Sequence, residues 1–314
     1  MRVLVVTNLW PTPERPASGG FVRDQVEALR EIDGIDLELF TFGVGARAYL
    51  DAARELRRRY ADERFDVVHA HYGLAGWSSL AVRGAPHVVT FHGTDLQHPK
   101  VGPLSRILAN RISLPAPVSA TLARAALPHP KRRIAILPCG VNLDRFAPMA
   151  RRTARERLGL DPGRPYLLFP ADPARPEKRH DRARTLAEHV GVDLLHYERR
   201  APEEVPLLIN AANAVLVTSE REGFGLAALE ALACEVPVLS TDVGIAKLAL
   251  DGIAGTHCDE FDADMWELVL RENLAAEDPR VDGRARAALF DRNRLAERVF
   301  MAYQDVLGSG QAAP

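Results

Sequence analysis

The sequence predicts an α/β protein made of two successive doubly wound parallel-sheet domains. Three observations predict it. Short apolar runs of strand length alternate with helical periodicity along nearly the whole chain, a pattern that puts helices on both faces of a parallel sheet. The pattern restarts after a charged stretch at 148–163. The 314 residues, 47% of them hydrophobic, are enough for two cores of ordinary domain size.

In the first series, Val3–Val6 reads as a buried strand and Phe21–Glu31 as an amphipathic helix. Asp36–Thr41 alternates like a strand. Ala48–Glu63 has helical spacing and carries Arg54, Arg57, Arg58 and Arg59. Val67–His71 and His87–Phe91 read as strands, Leu104–Leu114 and Ser119–Ala126 as helices, and Ile134–Leu137 as a last strand. Residues 1–147 are thus one domain and 148–163 a linker with a short helix. The second series begins at Tyr166–Phe169. Its later strands fall near Asp193–His196, Ala214–Thr218, Val236–Ser240 and Gly255–Cys258, giving a second domain over 164–283. Residues 284–307 are helical, and the small polar tail 308–314 is expected to be disordered.

Bulk composition removes several function classes. A net charge of −2 argues against a nucleic-acid binder, although basic residues predominate in the first half and acidic ones in the second. Cys139, Cys234 and Cys258 show no C-x-x-C and no zinc spacing with histidine, so they read as small buried hydrophobes in a reducing compartment. The N-terminus lacks a signal-peptide core, and no apolar run approaches the roughly 18 residues of a membrane span. The expected location is the cytoplasm. Peripheral contact at the inner face of the plasma membrane through Arg54, Arg57, Arg58 and Arg59 is the other option. Those arginines lie partly around their helix, for which a solvated face is the plainer reading.

The most informative segment is Glu222-Gly223-Phe224-Gly225-Leu226-Ala227-Ala228-Leu229-Glu230, followed by an apolar helix and the buried strand Pro237–Thr241. Two carboxylates eight positions apart, just over two helical turns, can face one direction if the helix starts early. A helix N-terminus favours an anion, and a carboxylate accepts from a vicinal diol. The segment suits a phosphorylated, hydroxyl-rich ligand.

It resembles the E-x7-E motif of retaining glycosyltransferases of family 4 (glycosyl transferases group 1), which have the GT-B fold. The resemblance extends over most of the chain and implies two Rossmann-like domains facing a central cleft, with 284–307 crossing back to the first. It implies that Glu222 and the turn Gly223, Phe224, Gly225 and Leu226 contact the donor sugar, and that Glu230 holds the nucleotide ribose. Gly244, in the next loop, would present an amide to phosphate.

Other stretches follow the same resemblance. Gly19-Gly20 ends a long loop just before a helix, where glycine permits close backbone approach and the helix start offers amides to a diphosphate. Phe91-His92-Gly93-Thr94-Asp95 resembles the family's H-G turn, which assigns His92 to the sugar near its anomeric centre. His71 and Asp95 are assigned to the acceptor side, and His69 reads as a core histidine. Pro138 to Pro148 resembles P-x-G-V-D-x-x-x-F-x-P, with Asn142 in place of Asp and still able to cap the turn. Lys178 matches the phosphate-binding lysine. The family's arginine has no aligned counterpart, and Arg175 is the guanidinium nearest to its place. Glu235 stands where the family often has glycine. Asp262-Ala-Asp264 imitates a D-x-D metal motif but reads as helix-start acids.

The reading is a metal-independent, retaining hexosyltransferase of cell-envelope polysaccharide type. It needs no cofactor beyond its nucleotide-diphosphate sugar substrate and acts on a carbohydrate, lipid-linked or small-molecule acceptor. His92, Lys178 and Glu222 form its catalytic set. A nucleotide-sugar epimerase on the same fold, or a degenerate nucleotide-sugar-binding homologue, are the alternatives.

Overall fold

The computed structural model describes residues 1–16, 18–127, 133–197 and 200–310, the side chains of 309 and 310 apart. The chain divides into two compact units, 1–140 with 292–314 and 141–291. The first contains β1 (Arg2–Thr7), α1 (Gly20–Arg30), β2 (Asp36–Thr41), α2 (Ala46–Arg59), β3 (Val67–His71) and α3 (Gly73–Ser79). It continues through β4 (His87–Phe91), α4 (Thr94–Gln97), α5 (Gly102–Ala109), β5 (Leu114–Pro117) and α6 (Ala120–Ala126). The second holds α7 (Arg151–Arg157), β6 (Tyr166–Phe169), α8 (His180–Val190), β7 (Asp193–His196), α9 (Val205–Ala211) and β8 (Ala214–Val217). Then follow α10 (Leu226–Ala233), β9 (Val238–Ser240), α11 (Ala246–Leu250), β10 (His257–Cys258), α12 (Ala263–Ala275) and α13 (Arg284–Ala288). The last helix, α14 (Arg292–Gly310), belongs to the first unit and packs on α1.

Both sheets are parallel, ordered β2-β1-β3-β4-β5 and β10-β9-β8-β6-β7. Each is the same doubly wound order, with the strand sequence reversing direction beside its first strand. Ligands of such sheets bind outside the carboxyl ends of the strands at that reversal. The relevant ends are those of β1 and β3 in the first unit and of β6 and β8 in the second.

Near-continuous apolar strands explain the burial. Val3, Val5 and Val67 are fully buried and pack with Val22, Val26 and Leu29 of α1 and Val299 and Tyr303 of α14. In the second unit, Leu167, Phe169, Leu216 and Leu239 close on Leu186 of α8 and on Trp266 and Leu270 of α12.

Four sequence expectations need correction. The helix expected over 104–114 stops at Ala109, and β5 follows. Two prolines hid this strand. Pro115 and Pro117 turn their missing N–H away from β4, and their carbonyls accept from Ala135 and Leu137 at 3.2 Å each. Residues 134–137, expected as a strand, are therefore only its hydrogen-bonded neighbour.

The stretch 148–163 is not a linker but part of the second unit. Arg151 is 2% exposed and donates to the carbonyls of Ala212, Glu277 and Pro279. Arg155 donates to Ala211, Pro162 and Asn213. Two cations thus satisfy the carbonyl end of α9, where the helix dipole favours positive charge. The tail expected over 308–314 is helical to Gly310, and residues 311–314 lie outside the described residues.

Glu235, between α10 and β9, has φ 58°, the left-handed conformation that suits glycine. That conformation costs an ordinary residue about 1–2 kcal/mol. Glycine's greater unfolded-state entropy offsets part of the gain. Glu235→Gly is therefore expected to raise stability by about 1 kcal/mol. Urea denaturation checks this, and an unchanged or lower midpoint would count against strain at this turn.

Candidate active site

In the second unit the carboxyl ends of β6 and β8 bring the two strongest sequence candidates together. The Lys178 ammonium donates to Glu222 Oε1 at 2.5 Å, and the Ser219 hydroxyl donates to the same oxygen at 2.8 Å. The side chains are 14% and 15% exposed, so the pair is largely screened from water and still open to a ligand. The loop bearing Lys178 is tied to β8 as well. Thr218 Oγ1 donates to the carbonyls of Lys178 and Arg179, and the Glu220 amide donates to Glu177 O. Arg175 does not join them. It is half exposed, and its guanidinium is occupied by Glu177 at 2.7 and 3.0 Å.

The turn 222–225 is locked against the loop that carries Gly244. Gly225 (φ 96°) starts α10, which no side chain caps. Gly244 has φ 60°, and a Cβ there would lie 2.2 Å from the Phe224 carbonyl oxygen and 3.2 Å from Glu222 Cβ. The Ile245 amide donates to that same carbonyl at 2.8 Å. The Phe224 ring is buried edge-on against Phe290, which leaves the turn's backbone as the part able to meet a ligand. Leu226 opens α10, and Glu230 lies on it, half-buried, near Tyr197 of the β7 end. Gly244→Ala is expected to push the turn and Glu222 out of place at a cost of about 1–3 kcal/mol. Urea denaturation reads the cost. A variant as stable as wild type would show that the two loops yield freely.

The first unit gathers histidines. His69 is fully buried with both ring nitrogens bonded, Nδ1 with the Tyr303 hydroxyl at 2.6 Å and Nε2 with Thr90 Oγ1 at 2.7 Å. His71 is buried behind His92. Its Nδ1 shares a proton with His92 Nε2 at 3.1 Å, and the rings stack with centroids 5.3 Å apart. Burial pulls His69 and His92 down to about 3 and His71 well below the ordinary histidine value, so all three are neutral at pH 7. His71 Nε2 is buried with no hydrogen-bond partner among the described residues. Phe21 of α1 and Cys139 border His92.

Asp95 lies beneath the His92–Gly93 turn. Its carboxylate is fully buried and accepts from the amides of Gly73, His92 and Gly93 at 2.9–3.0 Å. It fixes the backbone that presents His92, and burial raises it to about 6. His71 likewise supports His92 from behind. Gly19 (φ 70°) packs on Leu9, where a Cβ would lie 2.2 Å from the carbonyl oxygen, whereas Gly20 faces open space at the start of α1.

Sequence reasoning missed Ser219, Tyr72, Tyr197 and Cys139. Ser219 stood three positions before Glu222 and could have been found. Tyr72 holds a strained φ of 86° at the β3 end, which no sequence pattern reveals. Asn142 caps its turn through the amides of Asp144 and Arg145, and Asp262 accepts from the first amides of α12, as expected of each. Among the described residues no helix is long and apolar enough to cross a membrane.

Residues 1–145 match the model of Glycosyltransferase Family 4, and residues 174–288 match that of Glycosyl transferases group 1. The chain belongs to this glycosyltransferase family. Curated relatives include the D-inositol 3-phosphate glycosyltransferases of Thermobispora bispora (28% identical, covering 72% of this chain and 66% of the relative) and Segniliparus rotundus (27%, covering 80% and 68%). The chain therefore spans about two thirds of their length.

Solved structures of the same fold include a sucrose-phosphate synthase from Thermosynechococcus elongatus. Its TM-score is 0.76 at 18% identity, covering 98% of this chain and 99% of that one. Anabaena HepE in complex with UDP gives 0.69 at 16%, covering 97% and 100%. The fold is GT-B.

Proposed function

We propose that this family member transfers a sugar from a nucleoside-diphosphate donor to a hydroxyl acceptor with retention of configuration and without a metal. The observation that carries the reading is the Lys178–Glu222 contact at the strand reversal of the second sheet. A diphosphate leaving group gains charge as the glycosidic bond breaks, and a fixed, partly desolvated ammonium stabilises that charge without reorganising. Glu222, held on one oxygen by Ser219, keeps its other oxygen for sugar hydroxyls. Glu230 is assigned to the ribose and the turn amides at 223–226 to the donor. Neutral His92 can accept or donate one hydrogen bond at the sugar without adding charge there. The departing phosphate is assigned to deprotonate the acceptor on the same face. The reaction is placed in the cytoplasm, where no cofactor beyond the donor is required.

Thermal stabilisation by UDP-, GDP- and ADP-sugars tests this, with UDP first because HepE binds it. A shift with one donor, lost in Glu230→Ala, supports the reading and opens an acceptor screen that includes inositol 3-phosphate. A folded protein that responds to no donor at millimolar concentration would overturn it.

A further inference from the structure

His71 and His92 are both neutral, so the contact between their rings holds a single proton and admits two arrangements. In the first, His71 Nδ1–H donates to His92 Nε2 at 3.1 Å, and His92 carries its own proton on Nδ1. His71 Nε2 is then a bare lone pair. In the second, His92 Nε2–H donates to His71 Nδ1, and the His71 proton sits on Nε2. The deciding atom is His71 Nε2, buried and without a hydrogen-bond partner among the described residues. The second arrangement strands an N–H there, a rarer defect inside proteins than an under-used acceptor. The first strands only the lone pair. It also leaves His92 Nδ1–H facing Cys139 Sγ at 4.0 Å, where burial pushes the thiol up to about 12 and keeps it protonated. A thiol sulfur is a weak acceptor, so this N–H stays poorly satisfied until a better one arrives. Phe21, 4.9 Å away between ring centroids, and His71, whose ring lies 18° from parallel, hold the His92 ring in place.

We propose that His71 is a positioning residue that sets the tautomer of His92, so that His92 meets the donor sugar only as a hydrogen-bond donor, through Nδ1–H. This role rests on the assignment of His92 to the sugar in the reading of function above. The group it selects is a sugar hydroxyl oxygen, which replaces the thiol sulfur as acceptor and keeps its own proton free for another partner. His92 Nε2 is spent on His71 and offers the sugar nothing. His69 takes no part, because both its ring nitrogens are engaged by Tyr303 and Thr90.

The first test is NMR of the full chain with isotope-labelled histidine nitrogens, each ring assigned by the signals lost in His71→Asn and His92→Gln. The expected result is a proton on Nδ1 of both rings. A proton on Nε2 of either ring, or a mixture of the two forms, overturns the proposal. No donor is needed, so this outcome is separate from the reading of function. The second test uses the nucleotide sugar that stabilises the wild-type protein. His71→Leu removes the ring N–H and is expected to weaken donor binding about five- to tenfold, with His92 released to a mixture of tautomers. His71→Asn puts an amide N–H close to the place of Nδ1–H. It is expected to bring back the His92 Nδ1–H signal and to restore binding to within about threefold of wild type. Matching urea midpoints establish that each variant is folded. Equal losses in the two variants would mean that His71 acts by packing alone, and binding unchanged in His71→Leu would mean that it does not act on His92. Either result overturns the proposal. A wild-type protein that no nucleotide sugar stabilises overturns the reading of function and with it the use of this tautomer at a sugar.

Discussion

Lys178→Ala is expected to lower turnover about 10²- to 10³-fold, the loss seen when one preorganised donor to a developing oxyanion is removed. The argument rests on position. Lys178 follows the first strand of the second sheet, and Glu222 follows the strand on the other side of the reversal, so the sheet itself brings them within 2.5 Å. Without donor, the ammonium is neutralised by Glu222. With donor, the same ammonium is assigned to the diphosphate, whose charge is greatest as the bond to sugar breaks. The variant should therefore lose more in kcat than in donor affinity, because the contact strengthens toward the transition state. Donor hydrolysis, or transfer to an acceptor found by screening, supplies the rate, and thermal shift supplies the affinity. A kcat within threefold of wild type would remove Lys178 from the chemistry. Glu222, left beside Ser219 alone, should cost the folded state about 1–2 kcal/mol.

The second large effect is acid instability of the first unit. His69, His71 and His92 have native values depressed by burial, with neighbouring histidines adding to the effect on His69 and His71. Below about pH 6.5 the unfolded chain takes up protons that the native state refuses. Stability is thus complete above that pH and is lost as pH falls toward 3. Each histidine contributes up to about 1.4 kcal/mol per pH unit. Asp95 has the opposite sign. Its raised value favours the native state at low pH, an advantage present below about pH 4 and lost by about pH 6. One carboxyl against three histidines leaves a net loss of up to about 3 kcal/mol per unit between pH 6 and 4. Hydrogen exchange resolved by unit, at pH 7.5, 6 and 5, would show the first unit weakening. Equal protection across that range would mean that the histidines protonate in place.

How much was legible in advance follows from which forces are local. Parallel strands buried on both faces read as apolar runs, so β1, β3, β4, β6 and β8 were visible at once. β5 was not, because its fitness depends on which side of Pro115 and Pro117 the neighbouring strand lies. Glu222 and Glu230 were visible because a turn and a helix start at fixed spacing form a local pattern, whereas Lys178 was legible through the resemblance of its segment to the family's motif. Their mutual contact was not, since Lys178 and Glu222 are 44 positions apart and meet only through the sheet. Residues 148–163 looked like a charged connector because arginine is ordinarily a surface residue. Arg151 and Arg155 are buried only because the carbonyl end of α9 is there to receive them.

The sequence by itself determined the two parallel-sheet units, their strand ends, the acidic pair of the Glu222–Glu230 segment and the glycine demands of the turns. Periodicity and backbone conformation are properties of neighbouring residues. Only the tertiary structure decided that Asp95 serves the backbone, that His71 stands behind His92, that Arg175 turns to Glu177 and that Ser219 holds Glu222. Each of those roles depends on a hydrogen-bond partner or on burial, which the chain acquires only when its distant strand ends converge.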